Sequence, residues 1–139
     1  ISYCQESTRF CNYNLDKFGN EITVIYPCFF ELEEDLTKEE RERKSHQYYL
    51  WLRACQDAEK SYFNLLAEGC TPQEARSVLP NSLKTEVVMT ANIREWRHFL
   101  MQRCSASAHP QIREVARQLY IMAAGEMPAF FDDLGALIE

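Results

Sequence analysis

The sequence predicts a mixed, mainly helical domain with two strands and about five helices. Three observations support this: apolar residues recur at helical spacing in several stretches, two Thr-x-x-Glu capping boxes mark helix starts, and two runs rich in β-branched residues contain neither glycine nor proline. A chain of 139 residues is long enough for one domain with its own core. We therefore expect residues 1–139 to form a single domain.

The first third of the chain is mixed in character. Residues 2–10 are polar with an aromatic end, and Phe18-Gly19-Asn20 supplies a turn. Residues 21–26 (Glu-Ile-Thr-Val-Ile-Tyr) have the composition of a β-strand, which Pro27 stops. This order is compatible with a hairpin.

A long amphipathic helix is predicted to follow. The capping box at residues 37–40 starts it and Gly69 ends it, whereas the charged run at residues 31–44 is interpreted as a solvated lead-in. Its apolar stripe comprises Tyr48, Leu52, Cys55, Tyr62, Leu65 and Leu66.

The second capping box, at residues 71–74, starts a short helix that Pro80 ends. Residues 83–91, rich in Thr and Val, are expected to form the second strand and to lead into a third helix at about Asn92.

Two further helices complete the prediction. One starts at Pro110, with His109 as its N-cap, and closes at Gly125; a short final helix covers residues 127–138. The apolar face of the longer one comprises Ile112, Val115, Ala116, Leu119, Met122 and Ala123.

Composition excludes several classes of function. Four glycines leave no room for a G-x-G-x-x-G or Walker motif, and a net charge of −6 argues against a protein that coats DNA. No apolar run approaches the roughly 18 residues of a membrane span, so we expect a soluble, cytoplasmic protein without membrane or nucleic-acid partners.

Six cysteines without metal-clip spacing are expected to be free thiols, and no metal site is expected. A start at Ile1 rather than Met indicates processing or a longer parent chain.

Arg103 does not fit a plain core. It shares one face of the third predicted helix with the apolar side chains of Trp96, Phe99 and Leu100. Either the arginine reaches solvent or a structural carboxylate at the helix end, or it holds an anion or a polar ring at the edge of the core.

Basic residues also gather on the opposite side of this helix. Arg94, Arg97 and His98 form either an ordinary surface patch or, with Asn92 at the helix start, one wall of a phosphate or isoalloxazine site. The candidate cluster from the residues alone is Asn92, Arg94, His98, Arg103 and Arg76. Asp132 and Asp133 are interpreted as a polar helix face rather than an acid–base pair.

Two blocks of sequence resemble one known family. Residues 2–10 (Ser-Tyr-Cys-Gln-Glu-Ser-Thr-Arg-Phe) are similar to the second half of R-H-R-x-x-S-x-N-x-x-S-x-R-Y, the signature of the flavin-dependent thymidylate synthases. Leu79-Pro80, Asn-Ile-Arg-Glu-Trp-Arg-His-Phe at residues 92–99, the later Arg103 and Gln-Ile-Arg at 111–113 resemble that family's L-P, N-x-R-x-W-x-H-F, Arg and E-I-R pattern. The blocks occur in the family's order.

The resemblance implies a fold and a reaction. The fold would be α/β (α+β), a small antiparallel sheet flanked by helices, N-terminally incomplete because the chain begins just after the Arg-His-Arg half of the signature. The reaction would convert dUMP to dTMP, with methylenetetrahydrofolate as carbon donor and FAD, reduced by NADPH, as hydride carrier. The protein would be a homotetramer with sites shared between subunits.

The resemblance also implies roles for individual residues. dUMP would be bound by Ser7, Thr8, Arg9, Arg76 and Arg103, with Arg103 contacting the uracil ring as the catalytic residue. FAD would be held by Cys4, Gln5, Asn92, Arg94 and His98. Two positions depart from the family pattern: Cys4 stands where Asn or Ser is usual, and Phe10 replaces Tyr.

Two other functions remain open from the sequence. One is a non-catalytic fragment that retains the oligomeric helical core and partial dUMP binding, which the missing Arg-His-Arg favours. The other is a small helical nucleic-acid binder that uses Arg94, Arg97, Arg113 and Arg117, which the acidic total disfavours.

Overall fold

The structure, a computed structural model, describes residues 1–15 and 19–138. The chain forms two compact units. The central unit is Gln5–Val87, and the terminal unit comprises Ile1–Cys4 together with the residues from Val88 onward. Each unit has its own buried apolar cluster.

A two-stranded antiparallel sheet pairs β1 (Ser2–Gln5) with β2 (Val87–Thr90). The pairing continues one residue further, where the Glu6 amide donates to the Glu86 carbonyl at 2.9 Å. With the helices described next, this sheet confirms the predicted α+β class.

The central unit is built around α1 (Lys38–Ala67). Thr37 and Glu40 form the predicted capping box at its start, and Gly69 follows its end with a φ of +92°, a left-handed conformation that suits glycine. A short α2 (Pro72–Ala75) continues into a 3₁₀ turn at Arg76–Val78. The buried cluster of this unit comprises Cys11, Tyr13, Ile22, Tyr62 and Ala75.

The terminal unit is helical apart from its strands. Its elements are α3 (Ile93–Arg103), α4 (Pro110–Glu126), α5 (Pro128–Phe131), a 3₁₀ turn at Asp132–Leu134 and α6 (Gly135–Ile138). Its buried cluster comprises Leu100, Cys104, Ala116, Phe131 and Leu134.

The prediction of a strand at residues 21–26 was wrong. Only Val24 makes a ladder contact, an antiparallel bridge to Leu83, and two backbone hydrogen bonds flank it: Ile25 to Ser82 and Lys84 to Thr23, each at 2.8 Å. The segment therefore follows residues 82–84 without forming a ladder. A strand needs a partner of matching length, which composition does not reveal.

The predicted hairpin is also absent from the described part of the chain. Gly19 and Asn20 adopt the turn, with φ values of +70° and +57°, whereas Phe18 lies outside the described residues. The strand that does form, β1, lies within residues 2–10, where the sequence predicts no strand. The second strand is shorter than expected, at Val87–Thr90 instead of 83–91.

At the C-terminus, the single final helix predicted over residues 127–138 is broken into α5, a 3₁₀ turn and α6.

The face predicted for α4 is only partly buried: Ala116 is fully buried, but Val115 and Met122 are 57% and 67% exposed. His109 caps α4 as predicted, its Nδ1 accepting from the Gln111 amide.

All six cysteines fall within the described residues, and none forms a disulfide. Over that same portion of the chain, no helix combines the length and apolar character needed to cross a bilayer.

Candidate functional site

The central unit contains an open concavity of about 530 Å³. Three stretches surround it: the residues after β1, the 3₁₀ turn after α2, and the segment from Leu79 to Thr85. Its lining comprises Gln5, Glu6, Ser7, Thr8, Arg76, Leu79, Pro80, Asn81, Leu83 and Thr85. Polar groups from distant parts of the sequence thus meet around one space large enough for a small ligand.

A tight turn forms one wall of the concavity. The Phe10 amide donates to the Ser7 carbonyl at 3.0 Å, and the Arg9 amide donates to the Ser7 hydroxyl at 3.4 Å. Ser and Thr side chains stabilise such turns through local bonds to the backbone. The turn places the Ser7 and Thr8 side chains on the wall.

Arg76 faces this turn from the 3₁₀ segment after α2. Its Nη1 donates to the Thr8 hydroxyl at 3.0 Å, and both side chains are half-buried. An arginine held in this way keeps further N–H donors for an anion, because its guanidinium carries five.

The backbone that carries Arg76 is fixed by local bonds. In the second capping box, Glu74 Oε2 accepts from the Thr71 amide at 2.8 Å and from the Thr71 hydroxyl at 2.7 Å. These bonds hold the pKa of the Glu74 carboxyl below its ordinary value. Ala75 is fully buried in the central cluster and anchors the segment there.

Arg9 lies next to the concavity but is not part of its lining. Its side chain is exposed; Nε donates to Gln73 Oε1 at 2.8 Å, and the guanidinium carbon lies 5.4 Å from the centre of the Phe10 ring. The arginine is therefore held on two sides by residues for which the sequence predicts no role in binding.

Glu6 brings a carboxylate into the same lining. Both backbone polar groups of Glu6 are hydrogen-bonded: its amide donates to the Glu86 carbonyl, and its carbonyl accepts from the Thr85 hydroxyl at 3.2 Å. Sequence reasoning missed Glu6, Asn81, Thr85 and Gln73. For Glu6, Asn81 and Thr85 the available signal was their position within the two blocks that carry the family resemblance, whereas Gln73 lies outside both blocks.

The remaining candidate residues lie in the terminal unit, most of them on α3. Asn92 caps this helix, its Oδ1 accepting from the Glu95 amide at 2.9 Å. Arg94 and His98 are exposed and one helical turn apart, and Cys4 is exposed on β1. Exposed cationic and amide groups at the N-terminal half of a helix suit an anionic or carbonyl-bearing ligand.

Arg97 has a structural role instead. Its Nη1 and Nη2 bind the two carboxylate oxygens of Asp133 at 2.6 Å each, and Nη1 also donates to the Phe130 carbonyl. The arginine holds the pKa of the Asp133 carboxyl below its ordinary value. Of the basic patch predicted on α3, only Arg94 and His98 face solvent without such a partner in the described residues.

Arg103 ends α3 and is exposed. Leu100 is fully buried, so the apolar stripe exists, but the arginine leaves it for solvent. Arg103 forms no ion pair with any residue that the structure describes, so a structural carboxylate does not explain its position. Exposure to solvent and the binding of an anion or polar ring remain as explanations.

The structure thus brings together Gln5, Ser7, Thr8 and Arg76, with Arg9 beside them, in the central unit. It places Cys4, Asn92, Arg94, His98 and Arg103 in the terminal unit. Over the described residues, His, Cys, Asp and Glu side chains form no cluster that could hold a metal ion.

A small sheet, a helical majority and a concavity lined by polar side chains, among them hydroxyl, amide, carboxylate and guanidinium groups, define an α+β protein with space for a small ligand. The chain matches the family described as "Thymidylate synthase complementing protein" over residues 1–129 and belongs to that family.

Relatives with curated names agree with this family. The flavin-dependent thymidylate synthase of Geobacter sulfurreducens is 29% identical over 134 residues, which is 96% of this chain and 51% of the relative. That of Mycobacterium tuberculosis strain H37Rv is 44% identical over 61 residues, 44% of this chain and 24% of the relative. The chain spans about half the length of the first relatives it matches, 51% and 53%.

Solved structures share the fold. The UMP/dUMP methylase PolB from Streptomyces cacaoi, bound with 5-Br dUMP, superposes with a TM-score of 0.68 at 23% identity, over 98% of this chain and 62% of that one. Thymidylate synthase X from Helicobacter pylori, solved with FAD and dUMP, gives a TM-score of 0.61 at 19% identity, over 95% and 61%. At these identities the likeness supports the fold alone.

Proposed function

We propose that the protein carrying this chain converts dUMP to dTMP by reductive methylation, with methylenetetrahydrofolate as carbon donor and FAD reduced by NADPH. Family membership supports the reaction class, and the names of the relatives support the flavin and the pyrimidine nucleotide. The reductant and the carbon donor come from the resemblance described above.

One observation carries the proposal. Thr8 and Arg76 are separated by 68 positions, yet the Arg76 guanidinium donates to the Thr8 hydroxyl on the wall of the concavity. The first lies in the signature-like block at residues 2–10, and the second comes shortly before the Leu79-Pro80 pair. The Leu79-Pro80 start of the second block also lines the concavity, so the first block and the start of the second contribute to one space.

The chemistry of this site suits a nucleoside monophosphate. Hydroxyl donors from Ser7 and Thr8, with guanidinium groups from Arg9 and Arg76, are the groups that bind phosphate oxygens most often. The Glu6 carboxylate and the Asn81 amide, also in the lining, offer an acceptor and an amide for the neutral part of the nucleotide.

The residues proposed for FAD fit that cofactor chemically. Arg94 supplies an exposed guanidinium group and His98 an exposed imidazole one turn away, and the side-chain NH₂ of Asn92 makes no hydrogen bond within the described residues. With the exposed Cys4 and Gln5, they offer donors for diphosphate and ring carbonyl oxygens. Bound FAD supplies the hydride of the reaction; the protein side chains bind and orient it.

Arg103 is proposed as the catalytic residue. Carbon 5 of uracil is a poor nucleophile, so the enzyme must stabilise negative charge that develops on the ring oxygens. A guanidinium group can donate two parallel hydrogen bonds to such oxygens and stays protonated at any working pH. Arg103 would bind and polarise the ring without itself exchanging a proton.

We also propose a domain organisation, an oligomeric state and a cellular location for the protein. The family match runs through residues of both units, which supports one domain over residues 1–139. We propose a homotetramer with sites shared between subunits, as the resemblance implies. We also propose a cytoplasmic location, because six thiols outside disulfides suit a reducing compartment.

An assay of the purified protein tests the reaction directly. dUMP, methylenetetrahydrofolate, NADPH and FAD are supplied, and dTMP is measured with each component omitted in turn. We expect turnover only with the full set. No turnover, with dUMP bound but no flavin retained, would establish the non-catalytic alternative instead.

A further inference from the structure

Arg9 is held more firmly than an exposed arginine usually is. The long side chain of arginine has several rotatable bonds and samples many rotamers in solvent. Here Nε–H donates to Gln73 Oε1 at 2.8 Å while the guanidinium group lies over the Phe10 ring at 5.4 Å. The hydrogen bond and the cation–π contact each restrict the positions that the guanidinium group can take.

The part of Arg9 that remains available is the end of its guanidinium. The two terminal nitrogens make no hydrogen bond to any residue in the described part of the chain. With Nε–H engaged by Gln73, the edge formed by Nη1 and Nη2 is the one that can bind a phosphate through two parallel hydrogen bonds.

Gln73 stands on a rigid support. It is the second residue of α2, inside the capping box of Thr71 and Glu74, and two positions before the fully buried Ala75. Arg76, further along the same segment, makes the reciprocal bond to Thr8. The turn at residues 7–10 and the segment at 71–78 are therefore connected twice, each time by an arginine of one and an acceptor of the other.

We infer that Gln73 and Phe10 are positioning residues that hold the Arg9 guanidinium end-on toward the phosphate of the nucleotide. Both residues contact the Arg9 side chain and, like Arg9, lie outside the lining of the concavity, so their proposed effect on the nucleotide is through Arg9. The inference rests on the proposed function, because it takes dUMP as the ligand. It adds to that function two residues that order the anion-binding Arg9 side chain in advance, which lowers the entropic cost of binding.

Gln73→Met tests the hydrogen bond, because methionine has a similar length but offers only a weak acceptor. We expect dUMP affinity, measured by titration calorimetry, to fall about 3- to 10-fold, the usual effect of losing one solvent-exposed hydrogen bond to a charged group. Affinity for deoxyuridine, which lacks the phosphate, stays unchanged. In the assay KM for dUMP rises while kcat holds. Gln56→Met, an exposed glutamine on α1, is the matched control and changes neither value.

Two further variants separate positioning from a general effect on the fold. Arg9→Lys removes the Nε–H donor, so adding Gln73→Met to it should cause no further loss of dUMP affinity. Phe10→Leu, at a side chain that is 80% exposed, should weaken dUMP binding less than Gln73→Met and leave deoxyuridine binding intact.

Several results would overturn the inference. Unchanged or tighter dUMP binding in Gln73→Met would show that Gln73 does not orient Arg9 productively. An equal loss for deoxyuridine, or a full additional loss in the Arg9→Lys background, would assign Gln73 a role independent of the phosphate. A wild-type protein that binds no dUMP would overturn the proposed function itself, which is a distinct result.

Discussion

The two units present their candidate residues in opposite ways. In the central unit, Arg76 is hydrogen-bonded to Thr8, and Arg9 is hydrogen-bonded to Gln73. In the terminal unit, Arg94, His98 and Arg103 extend into solvent, and no hydrogen bond or ion pair to a described residue restrains them. The first arrangement is pre-ordered and the second is open.

This difference suggests a division of tasks. Side chains held before binding contribute mainly to affinity, because their ordering cost is already met by the fold. Side chains that become ordered only with a ligand can make contacts that strengthen as the reaction proceeds. We therefore expect changes in the central unit to act on KM and changes in the terminal unit to act on kcat.

Arg103→Ala should have the largest effect. If the guanidinium stabilises charge on the uracil ring, its removal lowers kcat about 100- to 1000-fold, the usual result of deleting a donor aimed at a developing negative charge. Steady-state kinetics with dUMP varied measures this. Gln102→Ala, also exposed on the last turn of α3, serves as control. A change confined to KM would contradict the proposed role.

Arg76→Ala should have the second-largest effect, and this effect should be on KM for dUMP instead of kcat. Loss of a charge-assisted contact, together with the bond to Thr8, is expected to weaken dUMP binding about 10- to 100-fold while kcat at saturation changes little. Titration calorimetry and KM report it. Arg43→Ala, an exposed arginine on α1, should be neutral. Equal effects of Arg76→Ala and Arg103→Ala on kcat would remove the proposed division of tasks.

Tyr62→Phe probes the packing under the central site. The Tyr62 hydroxyl donates to the Cys11 carbonyl at 3.3 Å and accepts from the Tyr13 amide at 3.5 Å, at a side chain with no exposed surface. Leaving these buried groups without a partner should lower the free energy of unfolding by about 1–2 kcal/mol. Denaturant unfolding measures it. Tyr49→Phe, at a half-exposed residue of α1, should cost less. The Tyr49 hydroxyl accepts from Arg53 at 3.2 Å, so equal losses would mean that the buried bonds contribute no more than this exposed one.

The smallest effect is expected from the ion pair of the terminal unit. Arg97 lowers the pKa of Asp133 from its ordinary 3.8, so the ionised carboxylate adds stability above that pH and loses it as the pH falls through the lower, folded-state value. The stability difference between the wild type and Asp133→Asn should narrow toward acid pH, as followed by thermal unfolding from pH 7 downward. A difference that stays constant with pH would show that the pair is not linked to protonation.

The sequence predicted best what depends on neighbouring residues. Both capping boxes, the His109 cap and the long helix α1 were recovered, because these features need only local spacing. The strand predicted at residues 21–26 was wrong, because strand formation depends on a partner elsewhere in the chain. Residues 2–5 had weaker strand composition but a matching partner in β2.

The same distinction applies to the site. The resemblance selected Ser7, Thr8, Arg9 and Arg76, and the structure places all four in or beside one concavity, although their roles stay predictions. Gln73 could not be found this way, since its significance lies in a contact across 64 positions. Arg97 was grouped with Arg94 and His98 by helical spacing, and only the position of Asp133 identifies it as structural.

The burial of Ala75 has a practical consequence. This small side chain, with no exposed surface, sits in the central cluster between Gln73 and Arg76. A larger residue at position 75, or a repacked neighbour such as Ile22, would shift the backbone that carries both side chains. Resistance to an inhibitor that competes with the nucleotide could therefore arise in the apolar interior, at positions that a survey of ligand contacts would pass over.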